Sequence, residues 1–104
     1  MKRLMYYATD FDEVVEILNN GIQPDEPFGS IYLYADKEDA FEGYITRYPH
    51  EPEFIIPVLV DEDALTSITI FSIGCIPINE FYYKGVLSLD EISLNANDIC
   101  FTIS

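Results

Sequence analysis

The chain has 104 residues, of which 49% are hydrophobic and 23% are charged, and this predicts one folded domain covering residues 1–104. Five basic residues against nineteen acidic ones give a net charge of −14, so the sequence excludes a protein that grips nucleic acid or an anionic membrane through phosphates. No apolar run reaches the roughly 18 residues of a membrane span, and Asp10 and Asp12 interrupt any signal peptide. We therefore expect a cytoplasmic location and no membrane contact.

The acidic residues are concentrated in the first two thirds of the chain. Residues 10–63 contain fifteen acidic residues against Lys37 and Arg47, a net charge of −13. Acidic faces usually keep a protein soluble, but carboxylates spread over one side can also imitate DNA phosphates and occupy a basic groove on another protein. Small acidic phage-encoded inhibitors of CRISPR or restriction enzymes have this size and charge. A basic nucleic-acid-binding protein is therefore one predicted partner.

Residues that bind metals are scarce. Cys75 and Cys100 are too few and too far apart for a zinc site or a disulfide framework, and we expect both to be small buried hydrophobic residues. The single histidine, His50, lies in a proline-containing loop and is expected to be exposed. The sequence predicts no metal site.

The first third of the chain predicts a strand followed by a helix. Residues 3–8 are rich in aromatics and favour a strand. Thr9 or Asp10 is then expected to cap a helix, and Asp10 and Glu13 have the spacing of a capping box. Gly21 suits the left-handed residue after a helix end. One apolar face of this helix is predicted at Phe11, Val14, Val15 and Leu18.

The remainder predicts one more helix and several strands. Residues 23–29 form a loop and residues 30–34 a strand, after which a helix begins near Asp36. The buried face of that helix is predicted at Ala40, Phe41, Tyr44 and Ile45. Further strands are predicted at residues 53–60, with an edge or bulge at Pro57, and at 66–70, 80–87 and 99–103. This order indicates an α+β fold, with two small helices near the N-terminus packed on a mostly antiparallel sheet.

Several segments, in order, resemble ADP-ribosyltransferase-like domains of the diphtheria-toxin and poly-ADP-ribose polymerase type. The strand and helix that end in LNNGI (residues 18–22) are similar to the family's opening. FGSIYLYAD (residues 28–36) is similar to its Phe-Gly-x-Gly-Ile-Tyr-Phe-Ala-Asp segment, with one residue fewer. NEFYYKGVLSLDEI (residues 79–92) is similar to its Glu-x-x-x-x-Gly-x-Ile-Pro close. The resemblance implies a split, mostly antiparallel two-sheet fold with a cleft for NAD.

The resemblance also implies roles for individual residues. Tyr32 matches the tyrosine that stacks on nicotinamide, and Glu80 matches the glutamate that stabilises the positive charge on ribose as nicotinamide leaves. Thr9 matches the small hydroxyl residue after the first strand. Tyr7 stands where the family has a histidine, and its hydroxyl can still hydrogen bond to ribose. A second family pattern, with arginine on the first strand and Ser-Thr-Ser on the second, is met only by Arg3 and Ser30.

Two functions therefore stay open. The first is an ADP-ribosyltransferase-like protein of bacterial or phage origin that transfers ADP-ribose from NAD, as substrate, to a macromolecule. Tyr32 would stack on nicotinamide and Glu80 would stabilise the ribosyl cation; Tyr7, Thr9 and Ser30 complete the candidate site. The alternative is a non-enzymatic, anti-CRISPR-like or anti-restriction protein that mimics nucleic acid. A member of the family that has lost its activity, acting within a complex, is a third interpretation.

Overall fold

The computed structural model describes residues 2–24, 29–72, 74–87 and 100–101, which form an α+β fold as predicted. Three predicted features lie outside the described part: the loop around residues 25–28, the last five residues of the family-like close (residues 88–92) and the side chain of Cys100. In chain order the elements are β1 (Lys2–Thr9), α1 (Phe11–Asn20), β2 (Ser30–Leu33), α2 (Lys37–Arg47), β3 (Phe54–Asp61), the 3-10 turn Glu62–Ala64, β4 (Leu65–Phe71), β5 (Pro77–Lys84) and β6 (Cys100–Phe101).

The strands form two antiparallel sheets, one in the order β1-β3-β6 and the other in the order β2-β5-β4. One backbone bridge joins the two sheets, and a second joins the segment after α1 to the segment after β5. Tyr6 of β1 and Tyr34, directly after β2, exchange hydrogen bonds of 2.8 and 3.0 Å, and Ile22 and Leu87 exchange bonds of 2.9 and 3.0 Å. Because the Tyr6–Tyr34 bridge fixes β2 beside β1, it also fixes where α2, which begins three residues later, packs.

Pro57 lies in β3, which is the middle strand of its sheet rather than the predicted edge. Its pairing with β1 runs one to one through Pro57, so the predicted bulge is absent from this described pair as well. The position still tolerates proline. β6 pairs only with Phe54 and Ile55, and the residue opposite Pro57, Tyr6, directs its N–H and C=O to Tyr34. Within the described strands, the missing N–H of proline therefore leaves no ladder hydrogen bond unmade.

Hydrophobic side chains are buried on both faces of the β1–β3 pair, since alternate strand residues point to opposite faces. One cluster contains nine buried residues and includes α1: Met5, Ile17, Ile22, Ile31, Leu33, Ile56, Val58, Val60 and Leu87. The other lies under α2: Ala8, Tyr34, Ala40, Tyr44, Ile55 and Ile78. Strands covered on both faces hold the two helices at fixed positions on either side.

Helix α1 begins and ends where the sequence predicts. The Asp10 carboxylate accepts a hydrogen bond of 2.8 Å from the Glu13 N–H, and Gly21 follows the helix with a φ of 75°. The prediction of which residues of α1 face the core is wrong, however. Ile17 is the buried residue, while the apolar residues on the flanks are about half exposed: Phe11 57%, Val15 48% and Leu18 53%. The reason is that the helix is rotated to direct Ile17 into the cluster that contains Ile22.

Helix α2 is capped by Asp36, whose carboxylate accepts a 2.8 Å hydrogen bond from the Asp39 N–H. Ala40 and Tyr44 are buried as predicted. Gly43, on the same side, lies directly against the ring of Tyr34. Small residues at this contact let the helix approach β2 and β5 closely, and Arg47 follows one turn after Gly43.

The β4–β5 turn and the start of β5 differ from the prediction in two ways. β5 begins at Pro77, three residues before the predicted start, because Pro77 already pairs with Phe71 of β4. The prediction that Cys75 is buried is wrong. Cys75 is exposed in the β4–β5 turn with a φ of 62°, and its N–H donates a 2.9 Å hydrogen bond to the Ser72 carbonyl.

Candidate functional site

One face of the β2–β5 pair carries three of the predicted site residues, Ser30, Tyr32 and Glu80. Ser30 lies opposite Lys84 and Tyr32 lies opposite Tyr82 in the antiparallel register. Glu80, two residues before Tyr82, points to the same face as Tyr82. Glu80 therefore lies deeper along a row that begins with Lys84 at the strand end.

The Glu80 carboxylate is completely buried and is held by two side chains. The Arg47 guanidinium donates from Nε to Oε2 at 3.0 Å and from Nη2 to Oε1, so that it binds both oxygens of the carboxylate. The Tyr34 hydroxyl donates to Oε2 at 2.5 Å.

These contacts shift the pKa values of both partners of Glu80. Burial alone would lower the pKa of Arg47, but the hydrogen bonds to Glu80 and the attraction between the guanidinium and the carboxylate raise that pKa above its ordinary value. Burial, followed by the hydrogen bond to Glu80, raises the pKa of Tyr34 as well. Arg47 therefore stays charged and Tyr34 stays neutral.

Arg47 also covers an aromatic pair. Its guanidinium carbon lies 4.0 Å from the centroid of the Tyr32 ring, a cation–π contact. Tyr32 meets Tyr82 edge to face, with ring centroids 5.1 Å apart. Burial and, after it, the nearby Glu80 raise the pKa of Tyr82. The Arg47 side chain is 31% exposed, so it forms the boundary between the buried Glu80 and solvent.

Outside this boundary lies a cavity of about 420 Å³, which we name the tyrosine–cation cavity; it is lined by Ser30, Tyr32, Arg47, Tyr82 and Lys84. Two of the chain's five basic residues line it, although the chain has a net charge of −14. The cavity thus offers aromatic ring surfaces, a hydroxyl and two cations. These groups suit a ligand that combines a flat ring with an anion.

Tyr7 and Thr9 lie apart from this cavity. Their hydroxyls both donate to Glu13 Oε1, each at 2.5 Å. They line a second cavity of about 110 Å³ together with Asp10, Glu13 and Tyr44. Burial, followed by Asp10, raises the pKa of Tyr44 to about 12. Asp10 and Glu13 give the described lining of this cavity a negative charge, so a phosphate is disfavoured there.

Tyr7, Tyr32 and Arg47 all line one small gap of about 20 Å³. That volume is room for about one water molecule. The expected cleft between β1 and β2 is therefore filled by the side chains that line it. Of the candidate residues, the structure brings Ser30 and Tyr32 together above Glu80, while Tyr7 and Thr9 are bonded to Glu13.

Arg3 and His50 lie elsewhere. The Arg3 guanidinium lies 4.8 Å from the Phe81 ring centroid and 3.9 Å from Glu62. Phe81 faces away from Tyr82, so Arg3 is on the other side of β5 from the tyrosine–cation cavity. His50 is exposed, as predicted, and packs against Tyr44 with ring centroids 5.5 Å apart.

Sequence reasoning missed Arg47, Tyr82 and Lys84 as site residues. The available signal was scarcity: a chain with five basic residues places Lys84 at the end of an aromatic strand beside Tyr82. Arg47 carried no local signal, because a basic residue in the last turn of a helix is already explained by the helix dipole.

Comparisons with protein-family models, curated proteins and solved structures found no match for this chain. In the described part of the chain, no helix has the length and apolar character needed to cross a membrane. The case for a function therefore depends on the residues themselves.

Proposed function

We propose that the protein binds NAD in the tyrosine–cation cavity, on an ADP-ribosyltransferase-like scaffold. The observation that carries this proposal is that Arg47 and Lys84 line one cavity with Tyr32 in a strongly acidic chain. NAD combines flat rings, which stack on tyrosine, with a pyrophosphate, which pairs with guanidinium and ammonium groups. The other predicted cofactor residue in the cavity, Ser30, supplies a hydroxyl within the same lining.

Replacing Lys84 with alanine should weaken NAD binding about tenfold, because one charge-assisted contact to pyrophosphate is lost. Isothermal titration calorimetry with NAD measures the dissociation constant. Lys2→Ala is the matched control, since it removes the same charge from an exposed residue of β1 that does not line the cavity. Equal weakening by both variants, or no binding of NAD to the parent protein, would contradict the proposal.

ADP-ribose transfer is the second step of this proposal. The bond between nicotinamide and ribose C1′ breaks, C1′ bonds to a nucleophilic atom of the target, and the target's proton passes to solvent. Glu80 can stabilise the developing charge only after Arg47 releases its oxygens. We propose that the pyrophosphate attracts Arg47 outward, across the ring of Tyr32, and so exposes the carboxylate to ribose.

Release of nicotinamide from NAD separates binding from transfer. We expect release by the parent protein in the presence of a cell lysate, and its loss in Glu80→Gln, which keeps the side chain's shape. Binding without release by the parent protein would overturn the transfer step and leave the binding proposal standing. Near-ultraviolet circular dichroism checks that the variant keeps its tertiary structure.

The second candidate function is the non-enzymatic inhibitor of a basic nucleic-acid-binding protein. Its support is the exposure of acidic residues on both helices, among them Asp12, Glu16 and Glu38. If the protein acts in this way, we expect it to inhibit DNA cleavage by a restriction or CRISPR nuclease, and we expect salt to weaken that inhibition. Charge reversals between Asp10 and Glu42 should abolish the inhibition, while changes at Tyr32 should leave it intact; the opposite pattern would overturn it.

A further inference from the structure

A third cavity, larger than the tyrosine–cation cavity, lies beside the first half of α2. We name it the α2 groove; its volume is about 560 Å³. Its apolar lining comes from Phe41 of α2, Ile55 of β3, Ile78 of β5 and Ile76 of the β4–β5 turn. Ile55 and Ile78 are buried, whereas Ile76 is 63% exposed. A volume and an apolar lining of this kind suit one or two hydrophobic side chains.

The polar lining of the α2 groove is mostly acidic. Glu38, Asp39 and Glu42 line it from two turns of α2, and Lys37 is the one cation among the described lining residues. The Lys37 ammonium lies 5.9 Å from the centroid of the Tyr6 ring. Burial, followed by the neighbouring carboxylates Asp36, Glu38 and Glu42, raises the pKa of Asp39. The carboxylates therefore repel one another, and a bound cation would relieve that repulsion.

We propose that the α2 groove binds a short segment of a partner protein in which an apolar side chain is flanked by lysine or arginine. The apolar side chain fills the space over Ile55 and Ile78, and the flanking cations pair with Glu38 and Glu42. The charge of the groove selects this occupant: an acidic segment or a nucleotide would be repelled, and a purely polar basic segment would leave the apolar lining exposed to water.

This docking surface is separate from the proposed NAD site. Among the described residues, the α2 groove shares no lining residue with the tyrosine–cation cavity, so each is proposed on its own residues. It also differs from nucleic-acid mimicry. A mimic depends on charge spread over a face, whereas the groove requires both charge at its rim and an apolar side chain within it.

The test uses three synthetic five-residue peptides with alternating residues: lysine with leucine, lysine with serine, and glutamate with leucine. Binding to the full chain is followed by two-dimensional NMR of the backbone amides. We expect the lysine–leucine peptide alone to shift the signals of Phe41, Ile55 and Ile78. No shifts at these residues, or equal shifts with the lysine–serine peptide, would overturn the proposal.

Two pairs of variants locate the binding. Glu38→Lys with Glu42→Lys should raise the dissociation constant of the lysine–leucine peptide at least tenfold, while the same reversal at Asp12 and Glu16, also four residues apart on an exposed helix face, should raise it less than twofold. Equal effects would show diffuse attraction only, and would contradict the groove.

The apolar part of the groove is tested in the same way. Ile76→Ser should raise the dissociation constant about fivefold, because it removes apolar lining. Phe71→Ser is its control, since Phe71 is equally exposed at 63% but does not line the groove. A similar loss of binding in both variants would overturn the assignment.

Discussion

Replacing Arg47 with methionine should lower the free energy of unfolding by about 3 to 5 kcal/mol. The reason is that the fully buried Glu80 carboxylate would lose the guanidinium that binds both its oxygens. Methionine keeps most of the length of the side chain and its packing on Tyr32, so the loss reports the charge rather than a cavity. Urea unfolding followed by far-ultraviolet circular dichroism measures the change.

Arg3→Met is the matched control. Arg3 also lies over an aromatic ring, Phe81, and beside a carboxylate, Glu62, but that ion pair is 3.9 Å long and its side chains are 37% and 52% exposed. Exposed ion pairs of this kind contribute about 0 to 1 kcal/mol. Similar losses for the two arginines would contradict the buried ion pair.

A double variant separates the unpaired charge from other effects. Arg47→Met combined with Glu80→Met should recover much of the stability, since a buried ion pair replaced by apolar side chains leaves no charge without a partner. Failure to recover would contradict the unpaired Glu80 charge as the cause of the loss in Arg47→Met.

Replacing Gly43 with alanine should lower the free energy of unfolding by about 2 kcal/mol. The added Cβ would overlap the ring of Tyr34, including its hydroxyl, which donates to Glu80. Alanine favours a helix over glycine by about 1 kcal/mol, so the steric conflict has to exceed this gain. The same urea experiment measures the loss, and near-ultraviolet circular dichroism follows the tyrosine environment.

Gly74→Ala serves as the control, since the nearest side-chain atom to its added Cβ is 3.9 Å away, in ordinary contact. We expect a change within about 0.5 kcal/mol. In a Tyr34→Leu background, Gly43→Ala should become neutral or stabilising, because the ring that it overlaps is gone. Persistence of the full loss in that background would contradict the overlap as its cause.

The contacts of Gly43 and Arg47 both depend on how α2 packs. Gly43 lets α2 lie against Tyr34, and this close approach places Arg47, four residues later, over Glu80. The helix that carries the ion pair therefore also closes the gap between Tyr7 and Tyr32 to about 20 Å³. The position of this one helix therefore affects both the stability of the fold and the access to Glu80 that the proposed transfer step requires.

Local structure was determined by the sequence. Asp10 caps α1 as predicted, α2 begins beside Asp36 as predicted, and Gly21 adopts the expected positive φ, because helix ends depend on neighbours within a few residues. The α+β order of elements follows from hydrophobic patterns that are equally local. Tyr32 and Ser30 were placed on the correct strand for the same reason.

Only the tertiary structure decided the site. Arg47 and Glu80 are 33 residues apart and Tyr34 and Glu80 are 46 apart, so no local pattern shows that they bind each other. The rotation of α1, which buries Ile17 rather than Phe11 or Leu18, was set by the cluster that it meets and not by its own periodicity. Long-range packing likewise placed two scarce cations, Arg47 and Lys84, beside Tyr32, because antiparallel pairing and helix docking bring distant residues onto one face.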